Sequence, residues 1–200
     1  PHATLRYNFG GNDVTNYLKD ILRERGYELT SLDERIALHE IKENLCYVAQ
    51  DYDRELYKAN KTKECDETWE IDENYEITIS SERFRCTELL FNPSLHGLDC
   101  DGFDASINNS IMKCDIDIRD ELNKNIVIAG GNTTFTGLKE RLENEIEVRQ
   151  NRRTKVIAEP ERGYGAWFGG SIFACSPSFN QYLITKDEYN GSITTLKNTF

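Results

Sequence analysis

The stretch from Asn125 to Gly137 constrains this 200-residue chain more than any other. It begins with an apolar, β-branched run, Ile126 to Ala129, which has the length of a strand and is too short for a helix. Gly130 and Gly131 follow, where no Cβ obstructs a turn with positive φ or the approach of a ligand. A helical stripe comes next, formed by Phe135, Leu138, Leu142 and Ile146. The pattern predicts a strand, a Gly-Gly turn and a helix.

A turn of this kind suits a nucleotide, because backbone N–H groups and the positive end of a helix dipole would face the ligand. An ordinary tight connection between a strand and a helix gives the same pattern. The turn is neither a P-loop nor a complete dinucleotide fingerprint, since no Gly-Lys-Ser/Thr and no third spaced glycine follow. The local residues leave both interpretations open.

The charge of the chain argues against nucleic acid as its main partner, because the formal net charge is -11 and no basic stripe is present. The one short basic cluster, at Arg149, Arg152, Arg153 and Lys155, is interpreted as a solvated loop before a strand rather than a binding patch. No window is apolar over the length of a membrane span, and no secretory signal opens the chain. We therefore expect no membrane insertion.

The six cysteines form no C-x-x-C pair and no zinc-like spacing with the three histidines. Free thiols in a reducing cytosol are favoured over a disulfide framework. The chain begins at Pro1 without a methionine, so we expect a fragment or a processed piece.

Periodicity predicts the elements of the first half of the chain. Residues 1–9 alternate as a strand, and an amphipathic helix follows that carries Val14, Tyr17, Leu18, Ile21 and Leu22 and ends at Gly26. Ser31 and Glu34 form a capping box for a second helix, with a stripe through Leu38, Ile41, Leu45, Val48 and Tyr52. Residues 53–68 are expected to be a charged surface loop, and residues 69–79 a hairpin that turns at Asp72-Glu73-Asn74.

The second half of the chain is predicted in the same way. A short helix is expected within residues 80–91, another helix on Ile107, Ile111, Cys114 and Ile118, and a short one near residues 120–124. Residues 155–158 read as a strand, Pro160 as a helix start, Ser176-Pro177 as a helix stop, and Thr185 with Glu188 as a second capping box. The helix between them has an apolar face of Tyr164, Trp167, Phe168, Ser171 and Ile172. This alternation indicates an α/β or α+β fold.

The loop of residues 92–104 carries Leu95, Leu98 and Phe103 among glycines and aspartates. Apolar side chains on such a loop either pack back onto the domain or contact a partner. The sequence leaves both possibilities open.

Ordered motifs along nearly the whole chain resemble the C-terminal half of actin-family proteins. These motifs are Glu24-Arg25-Gly26-Tyr27, Ile41-Lys42-Glu43, Leu45-Cys46-Tyr47-Val48-Ala49, Glu82-Arg83-Phe84-Arg85-Cys86, Asn109 to Asp115, Gly130-Gly131, Pro160-Glu161-Arg162 and Gly169-Gly170-Ser171-Ile172. The resemblance implies the α/β fold of the actin/hexokinase/Hsp70 ATPases, with residues 1–9 and 99–164 in an inner subdomain. Residues 10–98 would form an outer subdomain, and residues 165–200 would return to the other half of the protein.

The resemblance also implies an ATP or ADP site, with Mg²⁺ or Ca²⁺ in the intact protein. Lys42 and Glu43 would sit at the adenine and ribose, with His39 beside the adenine where the family has an arginine. Gly130, Gly131 and Asn132 would approach the sugar and phosphates, and Phe135 would stack on the base. Without the resemblance, Lys42 and Glu43 are more typical of a solvated helix face.

The same resemblance implies contacts with partners. Other actin subunits would contact Leu95, Leu98 and Phe103 in a filament, and actin-binding proteins would contact Ile172, Phe173 and Ser176. The chain departs from the family pattern at His39, Asn132 to Thr134, Gly163 and Pro177. These changes indicate a divergent member with altered adenosine packing.

The leading hypothesis is the C-terminal part of a cytoplasmic, cytoskeletal actin that polymerises and hydrolyses ATP when intact. The chain as written lacks the phosphate loops and the metal-binding aspartate of the family, and phosphoryl transfer needs aligned phosphates, metal and water. We therefore expect no catalytic residues in it. The alternative is an actin-related protein that acts as a non-polymerising scaffold subunit. A sugar kinase or chaperone ATPase would leave the ordered actin motifs unexplained.

Overall fold

Helices dominate the described part of this computed structural model, which comprises residues 1–72, 75–186 and 189. The α-helices are α1 Gly11–Glu24, α2 Leu32–Leu45, α3 Tyr52–Lys61, α4 Glu82–Glu88, α5 Phe103–Met112, α6 Arg119–Asn123, α7 Leu138–Gln150 and α8 Gly165–Ala174. The strands are β1 Glu67–Asp72, β2 Tyr75–Ile79, β3 Ile126–Val127 and β4 Val156–Ile157. Short 3-10 helices lie at Pro93–His96, Ile116–Ile118, Gly131–Thr133, Arg162–Tyr164 and Pro177–Tyr182.

The chain divides into two compact units, Pro1–Gly163 and Tyr164–Phe200. In the first unit, β1 and β2 form an antiparallel hairpin in which Trp69 faces Ile77, and β3 pairs with β4 in parallel. The mixed α/β class and the hairpin confirm the prediction. None of the described helices is long and apolar enough to cross a bilayer.

The core of the first unit is built by the apolar stripes that the sequence predicts. Fully buried side chains include Leu18, Ile21 and Leu22 of α1, Ile41 of α2, Ile77 and Ile79 of β2, Phe84 of α4, and Leu138, Leu142 and Ile146 of α7. The cap of α2 is also confirmed, because Glu34 N donates to Ser31 Oγ over 3.2 Å and Ser31 N donates to Glu34 Oε2 over 2.7 Å.

The predicted length of the second helix is wrong. Helix α2 ends at Leu45, and Cys46 is extended with φ -81° and ψ 147°. The chain leaves the helix because Val48 N donates to Thr136 O over 2.8 Å and Tyr47 bridges Thr136. Val48 therefore lies in an extended segment that pairs with a distant part of the chain, and this pairing buries it. Its spacing from Leu45 and Ile41 matches a helix only by chance.

The charged surface loop predicted for residues 53–68 is wrong for most of its length. Asp51 caps helix α3 by accepting a hydrogen bond from Arg54 N over 3.0 Å. The helix buries none of its residues fully, so it lacks the apolar signal on which the prediction relied. Strand β1 then begins at Glu67.

The predicted strand at residues 1–9 is also wrong, since this segment forms no ladder with any described strand. An isolated extended segment gains no inter-strand hydrogen bonds, so alternation alone does not make a strand. Two helix boundaries differ as well: α5 ends at Met112, before Cys114 and Ile118, and α8 begins at Gly165 rather than at Pro160.

Three predicted features lie wholly or partly outside the described residues. These are the hairpin turn at residues 72–74, the capping box at Thr185 and Glu188, and the tail of residues 190–200.

A buried ion pair joins α7 to α4. Arg141 Nη2 lies 3.1 Å from Glu88 Oε1, and each residue is only 8% exposed. Arg141 Nη1 also donates to Ala49 O over 2.7 Å, and its Nε donates to Glu145 over 2.6 Å. Burial raises the pKa of the Glu88 carboxyl above its usual 4.5, and the charge of Arg141 offsets part of that rise.

We predict that Arg141→Met strongly destabilises the protein at neutral pH, by about 3–5 kcal/mol, because it leaves the Glu88 carboxylate buried without a cation. A carboxyl whose folded pKa is raised costs stability as the pH rises from its unfolded pKa through the folded one. The loss should therefore be smaller near pH 5, where Glu88 can take up a proton. Urea unfolding midpoints at the two pH values measure this difference.

Arg23→Met is the matched control, because the ion pair of Arg23 with Asp20 is exposed, and such a pair is worth less than about 1 kcal/mol. An equal loss at both pH values for Arg141→Met would contradict the assignment to Glu88.

Candidate functional site

The Gly-Gly turn has the strand before it but not the helix directly after it. Gly130 adopts φ 96° and ψ 160°, a conformation that essentially only glycine reaches. Its N–H donates to Arg162 O over 2.8 Å, and residues 131–133 form a 3-10 turn. Helix α7 begins only at Leu138. The expectation that the following helix presents its N-terminus to this turn is therefore wrong.

The helix that does meet the turn is α1. The side chain of Asn132 packs against the Gly10-Gly11 backbone, where a Cβ on Gly11 would overlap the side-chain oxygen of Asn132. The carboxylate of Asp13 caps α1 by accepting a hydrogen bond from Gly10 N over 2.8 Å. Two Gly-Gly turns that are far apart in the sequence thus lie side by side.

Backbone amides from both turns remain available to a ligand. Within the described part of the chain, the N–H groups of Gly11, Asn12, Gly131 and Asn132 have no hydrogen-bond acceptor. Those of Gly11 and Asn12 lie in the first turn of α1, where the helix dipole is positive. Unpaired N–H groups of this kind bind phosphate and other oxygen-rich groups.

The side chain of Lys42 is buried against α1 and does not point into solvent. It is 8% exposed, and its ammonium donates to Thr15 Oγ1 over 3.0 Å and to Gly11 O over 3.5 Å. The interpretation of Lys42 as part of a solvated helix face is therefore wrong, although Glu43 and His39 are exposed. His39 and Glu43 are four residues apart on α2 and so share one face of that helix.

Phe135 is 7% exposed and belongs to the hydrophobic core cluster. Of the predicted site residues, the structure thus brings together Lys42, Gly130, Gly131 and Asn132, with His39 and Glu43 on the same helix as Lys42.

A cleft of about 430 Å³ opens beside the Gly-Gly turn. Its lining is mostly apolar and includes Phe9, Phe103, Ile107 and β3, together with Gly130 to Thr133. The described residues contain no group of three or more histidine, cysteine or acidic side chains that could hold a metal ion.

Sequence reasoning missed Gly11 and Thr15 as site residues. In the sequence alone, Gly10-Gly11-Asn12-Asp13 indicates no more than a break before a helix and a cap for that helix. A second Gly-Gly pair directly before a helix was the signal that could have identified them.

Comparison with known families decides the relationship. The family model for actin matches residues 1–194. The chain belongs to the actin family. Its fold is accordingly that of the actin/hexokinase/Hsp70 ATPases, as the sequence predicted.

The partner residues expected for this actin-family chain lie in different surroundings. Leu95 is 40% exposed and Leu98 is half-buried. Phe103 opens α5 and packs edge-to-face on Phe9, with ring centroids 6.0 Å apart. In the second unit, Ile172 is 75% exposed, whereas the ring of Phe173 packs on Phe179 and Tyr182. The Ser176 hydroxyl shares a hydrogen bond with that of Ser178.

All six cysteines are free thiols, as expected. Cys46 and Cys86 are buried with their sulfurs 3.5 Å apart. Burial raises the pKa of the Cys86 thiol well above its usual value, so this thiol stays protonated and serves as a core side chain.

The two glycines of the turn give a matched pair for mutagenesis. We predict that Gly130→Ala destabilises the protein by about 1–3 kcal/mol, because alanine rarely adopts the conformation of Gly130. Gly131→Ala should leave stability unchanged, since a Cβ there meets nothing within 4 Å and its φ is not positive. Thermal unfolding of both variants without nucleotide checks this, and equal losses would contradict the assigned backbone geometry.

Proposed function

We propose that this actin-family chain carries one wall of an ATP or ADP site and that the intact protein polymerises into filaments. The observation that carries the nucleotide proposal is the proximity of two turns with unpaired backbone N–H groups, those of Gly11 and Asn12 in one and those of Gly131 and Asn132 in the other. At Gly130 and Gly131 no Cβ obstructs a ligand that approaches these amides, and the space beside both glycines is open. Members of the family generally bind nucleotide with a divalent cation.

Two exposed side chains of α2, the helix that carries Lys42, suit the adenosine end of such a ligand. The exposed carboxylate of Glu43 can accept hydrogen bonds from ribose hydroxyls, and the exposed imidazole of His39 can lie against the purine. Lys42 is already hydrogen-bonded to Thr15 and Gly11. Its role in this proposal is to hold α1 in place and to add a positive charge beneath the phosphates.

Mg²⁺ or Ca²⁺ would accompany the nucleotide and be held chiefly by its phosphate oxygens, which are the hard ligands that these ions prefer. The described residues supply amides and a carboxylate for the nucleotide itself, so hydrolysis by the intact protein is assigned to groups outside them. The place of action proposed for this protein is the cytoplasmic cytoskeleton.

The first test of this proposal is the affinity for a fluorescent ATP analogue, measured on the full natural polypeptide that contains these residues. We predict that Gly131→Ala weakens binding about tenfold, because the new methyl group enters the space through which the ligand reaches the amides. Since the same change should leave stability unchanged, lost affinity cannot be ascribed to unfolding.

A second pair of variants tests the helix face. Glu43→Gln should weaken binding about five- to tenfold, because it replaces a hydrogen bond to a charged group, worth about 1.5–3 kcal/mol, with a neutral one worth about 0.5–1.5 kcal/mol. Glu40→Gln, an equally exposed position on α2, should have no effect. Unchanged affinity in both Gly131→Ala and Glu43→Gln would overturn the proposed site.

The substitutions at His39, Thr134, Gly163 and Pro177 favour a second candidate, an actin-related scaffold subunit that does not polymerise. Sedimentation of the full natural polypeptide with Mg-ATP and salt separates the two functions. We predict a pelleted fraction that Leu95→Asp reduces, because a charge would then have to be buried in the subunit contact. A wild-type protein that binds ATP but never pellets would support the scaffold.

A further inference from the structure

The contact between Asn132 and Gly11 links the two Gly-Gly turns, and its geometry is unusual for a polar side chain. Both the oxygen and the nitrogen of the Asn132 amide approach the Gly10-Gly11 backbone. Yet this amide makes no hydrogen bond or ion pair with any described residue. The side chain therefore fills space beside α1 without a hydrogen-bond partner among the described residues.

Gly11 lies where its contact with Asn132 disfavours a Cβ, although its backbone does not. It occupies the first position of α1 and its φ is not positive, so its conformation is open to any residue. A Cβ would nevertheless overlap Asn132 Oδ1. At the neighbouring Gly10, φ is -173° and a Cβ would lie 3.4 Å from Asn132 Nδ2, which is an ordinary van der Waals distance.

We propose that Asn132 is a positioning residue for the nucleotide site, acting through Gly11. Its side chain occupies the space left by the missing Cβ and sets the separation between the first turn of α1 and the turn at Gly130-Gly131. The amides on the two sides can then face one ligand together. This inference rests on the proposed nucleotide function. It adds the side chain that sets the position of the first turn of α1 relative to the turn at Gly130-Gly131.

The alternative explanation of Gly11 is that the nucleotide itself needs the space. The two explanations predict different behaviour when Asn132 is shortened. If Asn132 is what a methyl group at position 11 would strike, a smaller residue at position 132 makes room for it. If the nucleotide is what it would strike, shortening Asn132 changes nothing.

The experiment measures ATP-analogue affinity and the nucleotide-free melting temperature for Gly10→Ala, Gly11→Ala, Asn132→Ser and the double variant Gly11→Ala with Asn132→Ser. We expect Gly11→Ala to weaken binding about tenfold, the scale of overpacking by one methyl group, and Gly10→Ala to have no effect. In the double variant, affinity should return to within about threefold of Asn132→Ser alone, which is the coupling expected of residues in contact.

Two results would overturn this proposal while leaving the nucleotide site intact. One is a double variant that binds as weakly as Gly11→Ala, and the other is equal damage from Gly10→Ala and Gly11→Ala. A wild-type protein that binds neither ATP nor ADP would instead overturn the proposed function together with this inference.

If Gly11→Ala does not fold, Asn132→Ser alone tests whether Asn132 positions the two turns. Because Asn132 makes no hydrogen bond to the described residues, its loss should leave the melting temperature unchanged. Affinity should still fall about threefold, because the two Gly-Gly turns are then held less firmly at the separation that the ligand needs. Unchanged affinity in this variant would contradict a positioning role.

Discussion

The arrangement of the first unit depends on the interactions of the Arg141 guanidinium. It connects α7 to Glu88 of α4 and to the carbonyl of Ala49, and it lies 4.8 Å from the ring centroid of Phe91. Gln50 Nε2 donates to Gly137 O over 2.8 Å nearby. Thr136 and Gly137, which lie between the turn at Gly130-Gly131 and α7, are held by hydrogen bonds from Val48 N and Gln50 Nε2, so this frame extends toward that turn. A ligand that needs amides from two distant segments requires such a rigid frame.

Features governed by neighbouring residues could be predicted from the sequence. The capping box at Ser31 and Glu34, the left-handed Gly26 after α1 and the hairpin of β1 and β2 all follow from short-range chemistry. The errors arose where distant contacts decide. The apolar spacing continues through Val48 in the sequence, but pairing with Thr136 draws the chain out of the helix. Helix α3 has an N-terminal cap but buries no apolar face, so periodicity did not predict it.

Only part of the candidate site could be predicted from the sequence. The pattern around Gly130-Gly131 indicated a turn suited to a ligand, and the family resemblance added Lys42, but neither indicated that the positive helix end comes from α1. That arrangement depends on the fit of Asn132 against Gly11, and no periodicity encodes a contact between residues so far apart. The burial of Lys42 was hidden for the same reason, because its partner Thr15 lies on another helix.

A site shared by the two Gly-Gly turns is tested by titrating the ¹⁵N-labelled protein with Mg-ADP and following the backbone amides by NMR. We expect the resonances of Gly11, Asn12, Gly131 and Asn132 all to shift along one binding isotherm, because both turns face the same ligand. The amide of Gly130, which is already bonded to Arg162 O, should shift less. Shifts confined to one turn, or shifts that follow two different isotherms, would contradict a single site.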